Sequence, residues 1–357
     1  MKAGNITQTV WKRSISRQLN CAGREDGFRL SPEESRSALH VGDSADAVWS
    51  TASAAGFSSE TGEYALLKVV NDLAAGGAVP KGVSIQAMLP LDTEEDWLKE
   101  MTVKLAALCN RMKIDLTCVK AEVIPGFVRP MVFITGMGVA PRGRLLCAGN
   151  ALPGQDIVLC GYIGLEGTLR ILADSKGELE QRFVPSFIRQ TESLKKNLDA
   201  SDFIFAAAQM GILAMHQAGS GGIFAALWEL AEASGIGLEI ELPRLSIRQE
   251  TVEICEYYNL NPYQLTSGGC ILMAAKDGDA LVGTLQRMGA RARKLGVATD
   301  KKDRVITSDE EKRYLERPAP DELVRWQEQR LAVHAKEAID SKEPKGVNSD
   351  MPLGYDM

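Results

Sequence analysis

The run Asn71-Asp72-Leu73-Ala74-Ala75-Gly76-Gly77-Ala78-Val79-Pro80 places an acid, a glycine pair and a proline in one short stretch. Gly76-Gly77 allows a tight backbone turn at a helix end, and Pro80 fixes the way out of it. Such a turn offers backbone N–H groups to a phosphate, while Asp72 could hold a magnesium ion or bind a sugar or base edge. The plainer reading is a helix C-cap followed by a strand, which asks nothing of Asp72. Further along, Gly164, Gly167, Gly221 and Gly222 each precede or open an expected helix. That geometry presents N–H groups to an anion, but glycines also stand there for conformation alone. His216 is the histidine best suited to acid–base chemistry, the alternative being a helix-end histidine satisfied by backbone. The three histidines have no spacing that suggests a metal cluster.

The elements that must hold these residues follow from periodicity. Thr7 is an N-cap for a helix running to about Asn20. From Cys21 to Glu60 the chain is rich in Gly, Ser, Asp and Glu, with one short strand at Ala38–Val41, so it reads as loop-heavy. Glu63 to Ala75 has helical spacing, stopped by Gly76-Gly77. Val83–Leu89 alternates like a strand, and Thr93 caps a helix from Glu94 to about Arg111. Strands follow at Ile114–Val119 and Pro130–Val139. After Leu152-Pro153-Gly154 a second unit begins. It has a strand at Gln155–Cys160, a helix from near Leu165, and helices at Ser201–Ala218, Gly222–Ser234 and Ser246–Tyr257. A strand at Cys270–Ala275, a helix at Asp279–Met288 and a strand around Ala290–Val297 complete it. Without a strict βαβ repeat the class is α+β. Ala319 to Ala338 reads as an amphipathic helix, and Ile339 to Met357 as a disordered tail.

Composition bounds the rest. At 357 residues the chain exceeds one ordinary core, so two domains are expected. A net charge of −6 argues against a nucleic-acid binder, although it says nothing about one cleft. No apolar run reaches the roughly 20 residues needed to cross a bilayer, so no membrane association is expected. Met1 to Leu19 lacks the apolar centre of a secretory signal. The seven cysteines, Cys21, Cys109, Cys118, Cys147, Cys160, Cys255 and Cys270, are scattered without a Cys-x-x-Cys pair. They fit reduced, buried thiols of a cytoplasmic protein, not a zinc site.

The spacing of Asp72, Gly77, Ala78 and Pro80 resembles the signature of the AIR synthase-related superfamily. Its members include aminoimidazole ribonucleotide synthase, selenophosphate synthetase, thiamine-monophosphate kinase and the hydrogenase-maturation protein that dehydrates a carbamoyl group. Asn71 resembles the maturation branch, as does the opening Met1-Lys2-Ala3-Gly4. Gly23-Arg24-Glu25-Asp26 resembles an acidic loop whose Asp helps bind metal-nucleotide, and Val41-Gly42-Asp43 a strand ending in a metal-binding Asp. Asp46 competes with Asp43 for that role. Tyr162–Thr168, Ser220–Ile223 with Ala226–Leu230, and Thr266–Cys270 resemble successive motifs of the second domain. The resemblance covers residues 1 to about 325.

The resemblance implies a PurM-like two-domain fold. An N-terminal α/β dimerisation half would occupy residues 1–145 and a C-terminal α+β half residues 150–312, with a helix and flexible tail at 318–357. It implies a homodimer that binds ATP with Mg2+ near the interface and phosphorylates an amide-, carbamate- or phosphate-type acceptor, small or protein-borne. Clustered carboxylates would hold the magnesium: Asp26, Asp43, Asp72 and Glu122. Asn71, Asp72, Gly77, Gly164, Gly167, Gly221, Gly222 and Arg129 would face the nucleotide, and His216 would take part in the chemistry. Arg129 could equally be a strand-edge charge.

Two departures qualify this picture. Lys120 stands where the family usually has His, beside Glu122, and would repel magnesium while suiting a phosphate. Gln217 stands where relatives usually have Asp, removing a charge and a base or metal ligand. The chain ends Leu353-Gly354-Tyr355-Asp356-Met357 with no cysteine after Cys270, whereas the carbamoyl-dehydrating members carry the group on a terminal cysteine. That route is therefore not expected, and Cys21-Ala22-Gly23 only faintly resembles the selenophosphate branch. The expectation is a Mg-ATP-dependent phosphoryl-transfer enzyme, with a catalytically degenerate regulatory or assembly homologue as the alternative.

Overall fold

A computed structural model of the chain describes residues 6–15, 17, 33–309 and 311–340, with side chains up to 331. Helix α1 (Gln8–Ser14) begins where Thr7 predicts, its hydroxyl accepting the Val10 N–H at 3.4 Å, but ends well before Asn20. In the segment expected to be loop-heavy, the short strand expected at Ala38–Val41 is β1 (Arg36–Val41), and it forms a hairpin with β2 (Ala45–Ala55). The long β2 escapes propensity because it is mostly Ala, Ser and Thr; its pairing with a neighbouring strand along its whole length makes it a strand. Then come α2 (Thr61–Ala75), β3 (Val79–Leu89), α3 (Glu95–Met112), β4 (Asp115–Val123) and β5 (Met131–Pro141). Glu94, not Thr93, stands at the N-cap of α3, without a side-chain cap bond.

These strands form one sheet in the order β1-β2-β5-β3-β4, with β3 and β4 parallel. One face is covered: Leu66, Val69 and Leu73 of α2 and Met101 and Leu105 of α3 pack with Val48, Ile85 and Ile134 in a single buried cluster. The alternation that turns those side chains inward turns Leu39, Thr51, Phe133 and Met137 outward. No described helix lies over that face, and Leu39 is 49% exposed.

The second half holds β6 (Asp156–Cys160), α4 (Leu165–Asp174), α5 (Lys176–Arg182), α6 (Pro185–Ser193), α7 (Ser201–Gln209), β7 (Ala214–Gln217) and α8 (Gly222–Ser234). It continues with β8 (Gly237–Glu241), α9 (Gln249–Tyr257), β9 (Ile271–Ala275), α10 (Gly278–Arg287), β10 (Ala292–Thr299), β11 (Arg304–Ser308), β12 (Glu311–Tyr314) and α11 (Glu322–Asp340). Its sheet runs β12-β11-β8-β10-β6-β9-β7. The helix expected over residues 201–218 is instead α7 followed by β7. Ala214–Gln217 is fully buried and pairs with β9, which outweighs the apolar run's helical look. The α+β class stands, with a sheet in each half. Cys109, Cys118, Cys147, Cys160, Cys255 and Cys270 are free thiols, and burial pushes Cys160 up to about 12. Cys21, Asp26, the opening Met1–Gly4 and the tail beyond 340 lie outside the described residues. No described helix is long and apolar enough to cross a membrane.

Candidate functional site

A cleft of about 840 Å³ lies between the halves, walled by α2, β2, the loop before β5, α4, β7, α8 and α11. Its volume is in the range of small-molecule sites. Lys68 and Asp72 reach it from one face of α2, a helical turn apart, and Arg129, Arg170, His216 and Glu229 reach it from other elements.

Asp72 is almost wholly buried and well supplied with donors. Its Oδ2 accepts from Ser35 Oγ at 3.0 Å and Ser50 Oγ at 3.1 Å, and its Oδ1 from Gln217 Nε2 at 2.7 Å. Asn71, beside it, points the other way. Its Nδ2 donates to Leu198 O at 2.7 Å and its Oδ1 accepts from the Ala200 N–H at 2.9 Å. The Asn71 amide is spent on joining the halves and does not line the cleft.

Two of the cations around the cleft, Lys68 and Arg170, are arranged about one buried acid. Glu166 lies 3.0 Å from Arg170 Nη1 and 3.9 Å from Lys68 Nζ, and accepts the Gly268 N–H at 2.9 Å. Burial alone would raise the Glu166 carboxyl, but Lys68, Arg170 and the Gly268 N–H hold it below the usual carboxylate range. Arg129 donates to Gln327 O at 3.0 Å and lies over the Phe57 ring, and burial lowers its guanidinium from the ordinary arginine value. Sequence reasoning missed Lys68 and Arg170. The available signal was spacing: Lys68 is one turn before Asp72, and Arg170 one turn after Glu166.

His216 stands in β7, not at a helix end, with Nε2 at 2.8 Å from Glu229 Oε2 of α8. Burial works to lower the imidazole, yet the Glu229 hydrogen bond and charge outweigh it and raise it above the ordinary histidine value. The pair places a proton-holding group on the cleft wall.

Several expected residues lie elsewhere. Asp43 sits exposed in the β1–β2 turn, beyond the end of β2 opposite Ala55, and Asp46 is taken up by His40 and the Gly143 N–H. Glu122 and Lys120 are exposed on β4, outside the cleft. The Gly77 N–H closes the helix end on Ala74 O at 2.8 Å, at φ +80°, so it offers nothing to a phosphate. The Gly164 N–H goes to Ser267 Oγ at 2.7 Å and the Gly167 N–H to Thr266 O at 3.0 Å. The Gly221 N–H, at the start of α8, is taken at 2.6 Å by Asp321 Oδ2, a carboxylate of this chain. The Gly222 N–H bonds Gly219 O at 3.2 Å, and a Cβ at Gly222 would come within 2.5 Å of Tyr263 O, so this glycine is required by packing.

These placements bear on the magnesium that the resemblance implies. Asp43 and Glu122 do not join Asp72, and among the described residues no three His, Cys, Asp or Glu gather to hold a metal ion. The carboxylate of Asp72 is itself directed at hydrogen-bond donors. The described members of the expected carboxylate set, Asp43, Asp72 and Glu122, do not make a magnesium cage here.

Comparison with known proteins accounts for the two-sheet plan. A model of the AIR synthase related protein N-terminal domain matches residues 39–140, and one of the C-terminal domain matches residues 153–309. Carbamoyl dehydratase HypE of Rhodobacter capsulatus is 30% identical over 237 residues, covering 65% of this chain and 66% of the relative. The chain thus spans about two thirds of that relative's length. Among solved structures, Escherichia coli HypE has a TM-score of 0.66 at 22% identity, over 78% of this chain and 87% of that one. The hydrogenase maturation protein HypE in complex with ATP has a TM-score of 0.63 at 18% identity, over 90% and 98%. Both structural likenesses speak for the fold. With both domain models matched in order, and together covering most of its length, this chain belongs to the AIR synthase-related proteins.

Proposed function

We propose that the chain binds ATP in the interdomain cleft and transfers its γ-phosphoryl group to the oxygen of an amide- or carbamate-type acceptor, as a hydrogenase-maturation-type activating protein. The observation that carries this reading is the convergence of Lys68, Arg129 and Arg170, from three different elements, on one cleft that also holds Asp72 and the His216–Glu229 pair. In such a transfer the bond from Pγ to the departing ADP breaks as the bond to the acceptor oxygen forms. The catalytic work is mostly positioning and charge stabilisation, which fixed cations supply. The maturation proteins among the relatives, one of them solved with ATP, support the same reading.

In this proposal residues 1–145 and 150–312 act as the two AIR synthase-like halves and 318–357 as an appended helix and tail, in a cytoplasmic homodimer. The uncovered face of the first sheet, which carries Thr51 and Met131 of the cleft wall, supports pairing through that face. Calorimetric titration with ATP, followed by phosphate release with carbamoyl and amide acceptors, tests the function. ATP binding with acceptor-stimulated release is expected; absence of binding would overturn it.

A further inference from the structure

Asp72 is the acid on which the magnesium expectation centres, yet donors already surround it. Of the roughly four lone-pair sites of a carboxylate, three receive hydrogens, from Gln217 Nε2, Ser35 Oγ and Ser50 Oγ at 2.7, 3.0 and 3.1 Å. Gln217 is locked in turn. Its Nε2 also donates to Lys68 O at 2.9 Å, and its Oε1 accepts from Asn71 Nδ2 and from the Gly269 N–H, each at 3.2 Å. The positive end of an amide dipole is thus fixed against Asp72, where a cation would otherwise approach. Releasing it would break all four of those hydrogen bonds and leave buried polar groups unpaired.

Counter-charge for a phosphate comes from the protein itself. The single carboxylate of Glu166 stands between two of the cations, Lys68 and Arg170. Arg129 contributes another on the same side as Arg170, its hydrogen bond going to a neutral carbonyl while the Asp174 charge acts on both arginines. Three other acids lining the cleft have hydrogen-bond donors of their own: Glu229 has His216, Asp321 the N–H groups of Gly221 and Leu323, and Glu33 Gln8.

We propose that this chain takes a nucleotide's polyphosphate as the free anion, with Lys68, Arg129 and Arg170 as its counter-ions, and that Asp72 anchors Gln217 instead of ligating magnesium. The inference rests on the nucleotide reading above.

Titration of the full chain with ATP, once in excess EDTA and once in excess magnesium chloride, tests it. The expected dissociation constant in EDTA is no more than about threefold above that in magnesium; a larger loss on removing magnesium overturns the proposal. No binding in either buffer overturns the nucleotide reading and this inference with it. Lys68→Met should weaken binding in EDTA by about tenfold or more, and unchanged affinity overturns the role of Lys68. Gln217→Asp sets a second carboxylate beside Asp72, so its binding should strengthen by about tenfold when magnesium is added. A folded Gln217→Asp protein indifferent to magnesium counts against the proposal. If circular dichroism shows that variant unfolded, the wild-type and Lys68→Met titrations still decide.

Discussion

Asp72 and His216 each take their work from the groups packed against them. Asp72 accepts three hydrogen bonds in a buried place. Asp72→Asn would set an NH2 group against at least one donor, leaving buried groups unpaired at a cost of about 1–3 kcal/mol. Urea unfolding of the variant should register that loss of stability; an unchanged midpoint would mean the carboxylate is not the acceptor. His216 carries a testable pH dependence. Its folded-state value is raised, so its contribution to stability is fully present below about pH 6.5, the ordinary value, and is lost as pH rises through the higher folded one. Arg36 opposes that shift and Glu34 supports it, both acting on the imidazole through charge. Melting temperature measured across this window should fall with rising pH, and Glu229→Gln should flatten the fall. A slope that survives in the variant would assign the titration to another group.

Among the elements, α11 forms one wall of the cleft. It ties to the first half through Gln327, whose Nε2 donates to Ala55 O at 2.9 Å and whose carbonyl accepts Arg129. Asp321, just before the helix, caps α8 in the place where an anion would profit from the helix dipole. Burial raises its carboxyl above the usual range, which the Gly221 and Leu323 N–H groups only partly offset. Asp321→Asn removes the negative charge at that helix end and keeps its one oxygen for Gly221, while the bond from the Leu323 N–H is lost. ATP affinity should rise by about two- to fivefold, read by titration. A weaker or unaltered affinity would show that Asp321 does not compete with the phosphates.

At the scale of the whole molecule, the first sheet leaves Leu39, Phe133 and Met137 on a face that no described helix covers. In the proposed homodimer this is the face that pairs with a second copy, which buries it on both chains at once. Sedimentation of the wild type should give a dimer, and Phe133→Asp should shift it toward monomer with its circular dichroism spectrum retained. A monomeric wild type would remove the homodimer from the proposed function.

Local chemistry determined much of this protein. The stop at Gly76-Gly77, the span Gly222–Ser234, the helix near Leu165 and the α+β class follow from capping, spacing and patterning, which act over a few residues. The Asp72–Pro80 motif was legible in the same way and identified the family. Tertiary structure decided the rest, because pairing and burial are not local. It made a strand of the small, polar β2 and of β7, and carried Asp43 and Glu122 away from the cleft. It also turned Asn71 into a tie between the halves, and gave the N–H groups of Gly164, Gly167 and Gly221 to partners within the chain. Lys68 and Asp72 share a face of α2, but Arg170, His216 and Glu229 of the second half meet them only once the two halves close on each other, and no spacing within either half brings those two sets together.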